Sequence, residues 1–249
     1  MEVHHHSHSS GKKWTHYFWE FFMLFLAVSA GFLVENQREH YVEHQRAKIY
    51  AANLYDELKK DTTQFNDLSR NLKNVSSKLD TFCILVKEDH KQTVTNGMLY
   101  YYSSFVTKVE YFSSNNTTIE QLRSSGNLRI MGNKLAYKIS EYERETRQLE
   151  KEYSLSKEEF SKMEDLHFKV FDIYISEKML GEPTEKSRDS VLRLTDLPVN
   201  IEPVLMNQYT GWLKFESGIY KYQADRYLGQ LKKIAMELIS ILKEEYDFK

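Results

Sequence analysis

From Phe21 to Val34 the chain reads FFMLFLAVSAGFLV, fourteen residues with no charge and no polar face. Extended back through Trp14, His16, Tyr17, Phe18 and Trp19, the apolar segment reaches 21 residues with one acidic interruption, Glu20. A helix needs about 20 such residues to cross a bilayer. Residues 14–34 are therefore expected to form one transmembrane helix. Trp14, Tyr17 and Trp19 sit where an interfacial aromatic belt would lie, and Glu20 is close enough to the end to reach headgroup water. Phe21 and Val34 bound the charge-free stretch, and Glu35-Asn36-Gln37-Arg38-Glu39 closes the far side. Two rivals stand beside the anchor. A signal peptide would be cut near Val28-Ser29-Ala30, yet apolar residues continue through Val34. A buried helix of a soluble protein would normally keep a polar face.

Beyond the anchor the pattern changes to a narrow stripe. Ala51, Tyr55, Leu58, Thr62, Phe65, Leu68, Leu72, Val75, Leu79, Phe82 and Val86 alternate spacings of four and three, the seam of coiled-coil-like packing. Neither Gly nor Pro occurs from Phe32 to Asn96, so a helix continuous with the anchor is expected. Between the two stretches, ENQREHYVEHQRAK is polar nearly all round and reads as a solvated face with i,i+4 pairs, such as Glu39 with neighbouring bases.

A turn at Thr95-Asn96-Gly97 precedes an aromatic segment containing Leu99, Tyr100, Tyr101, Tyr102, Phe105, Val106, Val109, Tyr111 and Phe112. A nucleic-acid stacking platform would interleave bases, and Lys108 is almost alone here, so core packing is expected. Ser113-Ser114-Asn115-Asn116 breaks the pattern, and Thr117 with Glu120 forms a capping box for a helix from Thr118 to about Ser124. Ser125-Gly126-Asn127 ends it in a tight turn. Helix-forming sequence resumes from Leu128 to about Met179, with Gly132 its weak point and Ser156 with Glu159 a capping pair where it restarts. Phe160, Met163, Val170 and Tyr174 share a stripe with His167, which reads as a satisfied core histidine. Gly181 to Pro203 holds all three prolines and reads as a loop of about twenty residues. A last helical region runs from Val204 to Tyr246, with Leu228, Leu231, Ile234, Leu238 and Ile241 on one face and Gly211, Gly218 and Gly229 weakening its first half.

The expected fold is thus all-α. A flexible His-rich tail (1–13) leads into a transmembrane helix (14–34), then a long-helix stalk and bundle (35–180), a Pro-containing loop (181–203) and a C-terminal helical region packed on the bundle (204–249). Composition agrees: nine Gly and three Pro in 249 residues are too few for a β-sandwich with frequent turns. A formal charge of −2 argues against a general nucleic-acid binder. Cys83 is the single cysteine, so no intramolecular disulfide forms; its stripe position reads as a small buried hydrophobe.

Candidate chemistry is sparse. His40 and His44 put two imidazoles on one helix face, an element of helical zinc sites, but the glutamates precede the histidines and no third ligand follows. His4, His5, His6 and His8 are a second histidine group, on a tail that is flexible or engineered. No phosphate-binding loop, nucleophile elbow or acid/base pair is recognisable. No enzyme activity and no cofactor are expected.

The stretches EFFMLFLAVSAGFLVENQREHYVEHQ (Glu20–Gln45) and TIEQLRSSGNLRIMGNKLAYKISEY (Thr118–Tyr142) resemble an uncharacterised family of small bacterial membrane proteins common in Bacteroidota. The resemblance implies one N-terminal membrane helix and a helical domain, and brings no activity, cofactor or site residues. The leading expectation is a membrane-anchored helical scaffold that self-associates, with the bilayer and a second copy as partners. A membrane-tethered sensory or ligand-binding domain, without an output module of its own, is the alternative. Lys12 and Lys13 before the span suggest a place in the bacterial inner membrane with the domain exported to the periplasm.

Overall fold

The computed structural model describes residues 14–87, 94–178 and 185–248, with backbone alone at 155–159, 162 and 185–187. The His-rich tail, with His4 to His8, lies outside them, as does 181–184 of the expected loop. Among the described residues the chain is all-helical and has no strand; one antiparallel bridge joins Phe171 to Val199. Its elements are α1 (Trp14–Lys87), α2 (Asn96–Ser103), α3 (Thr117–Ser124), α4 (Asn133–Val170), α5 (Ile173–Lys178), α6 (Glu185–Leu192), α7 (Pro203–Tyr222) and α8 (Leu228–Tyr246). Short 3-10 turns follow α2 and α3, and a π-turn, Gln223–Tyr227, joins α7 to α8. Contacts divide the chain into two units, Met1–Tyr50 and Ala51–Lys249, with α1 entering both.

In the first unit α1 is long and apolar enough to cross a membrane. Every Phe, Leu, Met, Trp, Tyr and Val from Trp14 to Val34 is exposed. Burying such side chains is worth about 1.5–3 kcal/mol each. Together they exceed the whole stability of an ordinary domain, about 5–15 kcal/mol. In the polar stretch that follows, Glu35 pairs with Arg38, whose Nε donates to Oε2 at 2.9 Å, and the Glu39 charge acts on the same guanidinium.

The core of the second unit starts on α1. Ala51, Leu54, Leu58, Asp61, Phe65, Leu68, Leu72, Val75, Leu79 and Phe82 are all buried. This corrects the expected stripe at three positions: Leu54 replaces Tyr55, Asp61 replaces Thr62, and Tyr55, Thr62 and Val86 are only half-buried. Asp61 can sit there because its carboxylate is fully occupied. The Asn115 backbone N–H and side-chain Nδ2 donate to Oδ1 at 3.2 and 2.6 Å, and the Tyr142 hydroxyl donates to Oδ2 at 2.7 Å. The stripe is covered by the same chain: Phe65 meets Phe112, and the hydroxyls of Ser76 and Ser217 lie 2.8 Å apart. Cys83 is buried as expected, its thiol directed at the Thr210 carbonyl.

The expected aromatic core forms, with Tyr100, Phe105, Val106 and Phe112 buried, while Tyr111 is half exposed. α3 starts at Thr117 with Asn116 as its cap residue and no side-chain cap bond, so the Thr117–Glu120 box does not close. Glu57 of α1 takes its place, accepting from the Thr118 hydroxyl at 2.8 Å and its N–H at 3.1 Å. Gly126, at φ 69°, adopts the left-handed backbone expected of the Ser-Gly-Asn turn.

α4 runs unbroken past Ser156, so no restart occurs there. The break falls at Phe171, which is extended, and Asp172 opens α5 by accepting from the N–H groups of Tyr174 and Ile175 at 2.9 and 3.1 Å. The expected long loop contains α6. Glu202 caps α7 at the N–H groups of Val204 and Leu205, and Pro203 takes a first-turn position where its missing donor costs nothing. α7 stays helical through Gly211 and Gly218, and all five residues named for the α8 face are buried.

Asp80 joins α1 to α7. Lys214, Lys221 and the Ser217 hydroxyl all donate to its carboxylate, the first and last at 2.8 Å. Burial opposes its charge, but these three donors prevail and hold its carboxyl at about 2, below the ordinary 3.8. A lowered folded-state value adds stability above the unfolded pKa, which is lost as pH falls through about 2. Asp80→Asn is therefore expected to melt below wild type at about pH 5, with the gap closing by about pH 2. Melting curves at the two pH values check this; a gap that stays constant would show that charge plays no part.

Candidate functional site

A cavity of about 370 Å³ opens in the second unit between α2 and its following turn, the last turns of α4, α5, and Trp212 of α7. Its walls are mostly apolar and aromatic: Tyr100, Val106, Phe160, Phe168, Ile173 and Trp212. Its size and lining are those of small-molecule sites, about 300–1,000 Å³ with a few polar groups. The polar groups are Ser103, Ser104, Thr107 and Ser176, with His167, Glu164 and Glu177.

Each wall follows from local structure. Tyr100 is held by two hydrogen bonds, its hydroxyl donating to the Pro198 carbonyl at 2.6 Å and accepting from the Asp172 N–H at 2.8 Å. That phenol fixes α2 against the extended break between α4 and α5. Asn200 holds the same break from the other side, its N–H donating to the Val170 carbonyl at 2.8 Å. α5 is thereby turned away from the line of α4, and Ile173, Ser176 and Glu177 become a wall.

The inner end is an aromatic cluster. Phe171 stacks edge-on with Tyr100 at 4.8 Å between centroids and with Tyr209 at 5.7 Å, and Trp212 lies 6.0 Å from Tyr209. His167 Nδ1 is 2.7 Å from the Tyr209 hydroxyl, the satisfied core histidine that its stripe position suggests. Burial lowers its pKa to about 4, so the ring is neutral near pH 7. Burial also raises the Tyr209 hydroxyl well above its ordinary value, keeping it protonated. The imidazole is thus neutral and bonded to a protonated phenol.

Ser176 is different. It is 7% exposed, and its hydroxyl is buried without a hydrogen-bond partner. A buried hydroxyl left unbonded costs about 1–3 kcal/mol, and those of Tyr153 and Thr210 share this state. Glu164 and Glu177 are exposed, and no described lysine or arginine lines the cavity.

The chain matches no protein-family model, no curated protein and no solved structure. The site therefore has to be read from its own chemistry.

The residues singled out in the sequence lie elsewhere. Trp14, Tyr17, Trp19, Phe21 and Val34 are exposed along α1, and Glu20 lies among them, equally exposed. His40 and His44 are exposed on the same helix, and no group of three or more metal-type side chains forms among the described residues. Of the cavity, only Tyr100, Val106, Phe160 and His167 stood out in the sequence, as core. Trp212, Ser176, Glu164 and Glu177 did not. One signal was available: Asp172 followed by an N–H-rich turn marks a helix start, and hence the bend that opens the space.

Proposed function

We propose that this chain is a membrane-anchored, helical ligand-binding protein whose second unit takes a small molecule into the cavity between α2, α4, α5 and Trp212. The observation that carries this reading is the cavity itself, built from aromatic and apolar walls. The exposed apolar surface of Trp14–Val34 supports residues 14–34 as the anchor, because water is a costly place for it. The bacterial inner membrane, with the second unit in the periplasm, is the setting we propose, and an output partner would have to be another protein. The heptad stripe on α1 was the reason to expect self-association. Most of it is buried within its own chain.

Full-length protein in detergent tests the reading by thermal shift with tryptophol, a neutral indole alcohol of suitable size. At a hundredfold excess over Kd the expected rise is about 5–10 °C. Ile173→Trp, made at a half-exposed position of the wall, is expected to abolish it by filling the mouth. A rise that survives this substitution, or no rise with tryptophol, its amine or its acid, would sink the cavity as a binding site.

A further inference from the structure

Resting on the cavity reading, we infer that the ligand is a small organic cation, an amine or quaternary ammonium on a flat aromatic or short alkyl body. Volume sets the size. A cavity of about 150 Å³ holds benzene, so about 370 Å³ accommodates a molecule of about 15 non-hydrogen atoms. That is too little for a diacyl lipid or a folded peptide.

Charge sets the sign. Two carboxylates, Glu164 from α4 and Glu177 from α5, stand at the lining from opposite sides of the bend, and no described lysine or arginine joins them there. An anionic ligand would meet like charge without a counter-ion, which costs more than either a neutral or a cationic ligand pays. The aromatic faces of Trp212 and Phe160, whose centroids are 6.3 Å apart, add an attraction for positive charge that a neutral ligand does not receive.

The test is calorimetric titration of the full-length protein with three probes sharing one ring: tryptamine, tryptophol and indole-3-acetate. Tryptamine is expected to bind at least tenfold tighter than indole-3-acetate, with tryptophol between them. Glu164→Gln combined with Glu177→Gln, both at exposed positions, is expected to bring tryptamine down to the tryptophol value and leave tryptophol unchanged. Equal binding of all three probes, or preference for the acid, overturns the cation assignment and leaves the cavity reading standing. Binding by none of the three overturns both.

Discussion

Asp61→Ala is expected to lower the free energy of unfolding by about 3–5 kcal/mol, a large part of the 5–15 kcal/mol typical of a domain. The carboxylate is wholly buried on the seam of α1 and accepts from both Asn115 donors and from the Tyr142 hydroxyl. Removing it strands three donors in a place water does not reach. Burial is the largest cause of the raised Tyr142 pKa and remains in the variant, so the phenol cannot ionise to relieve the loss. Asp61→Asn keeps an acceptor and is expected to cost about 1–2 kcal/mol. In the Asp61→Ala background, Tyr142→Phe should then cost little, because its hydroxyl has already lost its partner. Guanidinium unfolding of the full chain in detergent, followed by near-ultraviolet circular dichroism, measures all four proteins. An Asp61→Ala midpoint within about 1 kcal/mol of wild type would show the cluster to be tolerated rather than stabilising.

Gly97→Ala should release the segment around α6 from α2. An added Cβ at position 97 would lie 1.9 Å from the Val191 carbonyl oxygen and 3.2 Å from that of Leu194. Both obstacles are backbone, so no side chain can swing aside. Alanine gains about 1 kcal/mol over glycine in a helix, whereas overpacking of this kind costs about 1–3 kcal/mol or more. The clash wins. It also strikes the centre of a clasp in which the Gly97 N–H meets the Leu194 carbonyl at 2.8 Å and the Thr95 hydroxyl meets that of Leu192 at 2.6 Å. Amide exchange over 191–198 is expected to accelerate by at least tenfold in the variant, with α4 and α8 unchanged. Unaltered protection of 191–198 would mean that the two segments part without loss.

Much of this architecture was legible because burial leaves a period in the sequence. The α8 face from Leu228 to Ile241 and most of the α1 stripe are large aliphatic residues at helical spacing, and each is buried. The errors lie where polar groups are partnered across long distances. Asp61 looks wrong for a seam until Asn115 and Tyr142 are brought to it, so Thr62 took its place in the reading. Thr117 and Glu120 form a plausible local cap, but Glu57, sixty-one residues upstream of Thr118, supplies the acceptor. Ser156 and Glu159 suggested a helix start; the real one was written at Asp172. The cavity was least visible of all. It is the space left between segments that meet only after folding, and Trp212 and Glu177 carry no mark of sharing it.

The π-turn at Gln223–Tyr227 holds one residue more than a plain α-helix would need to join the same two flanks. One carbonyl within it is used, that of Ala224, accepting from the Ser69 hydroxyl at 3.1 Å. The turn therefore stores slack at a single point. A shortening of one residue there closes it and leaves Leu231 and Leu238 facing inward; the same deletion elsewhere in α7 or α8 swings everything after it by about 100°. Length is negotiable in this chain at that junction, and phase is not.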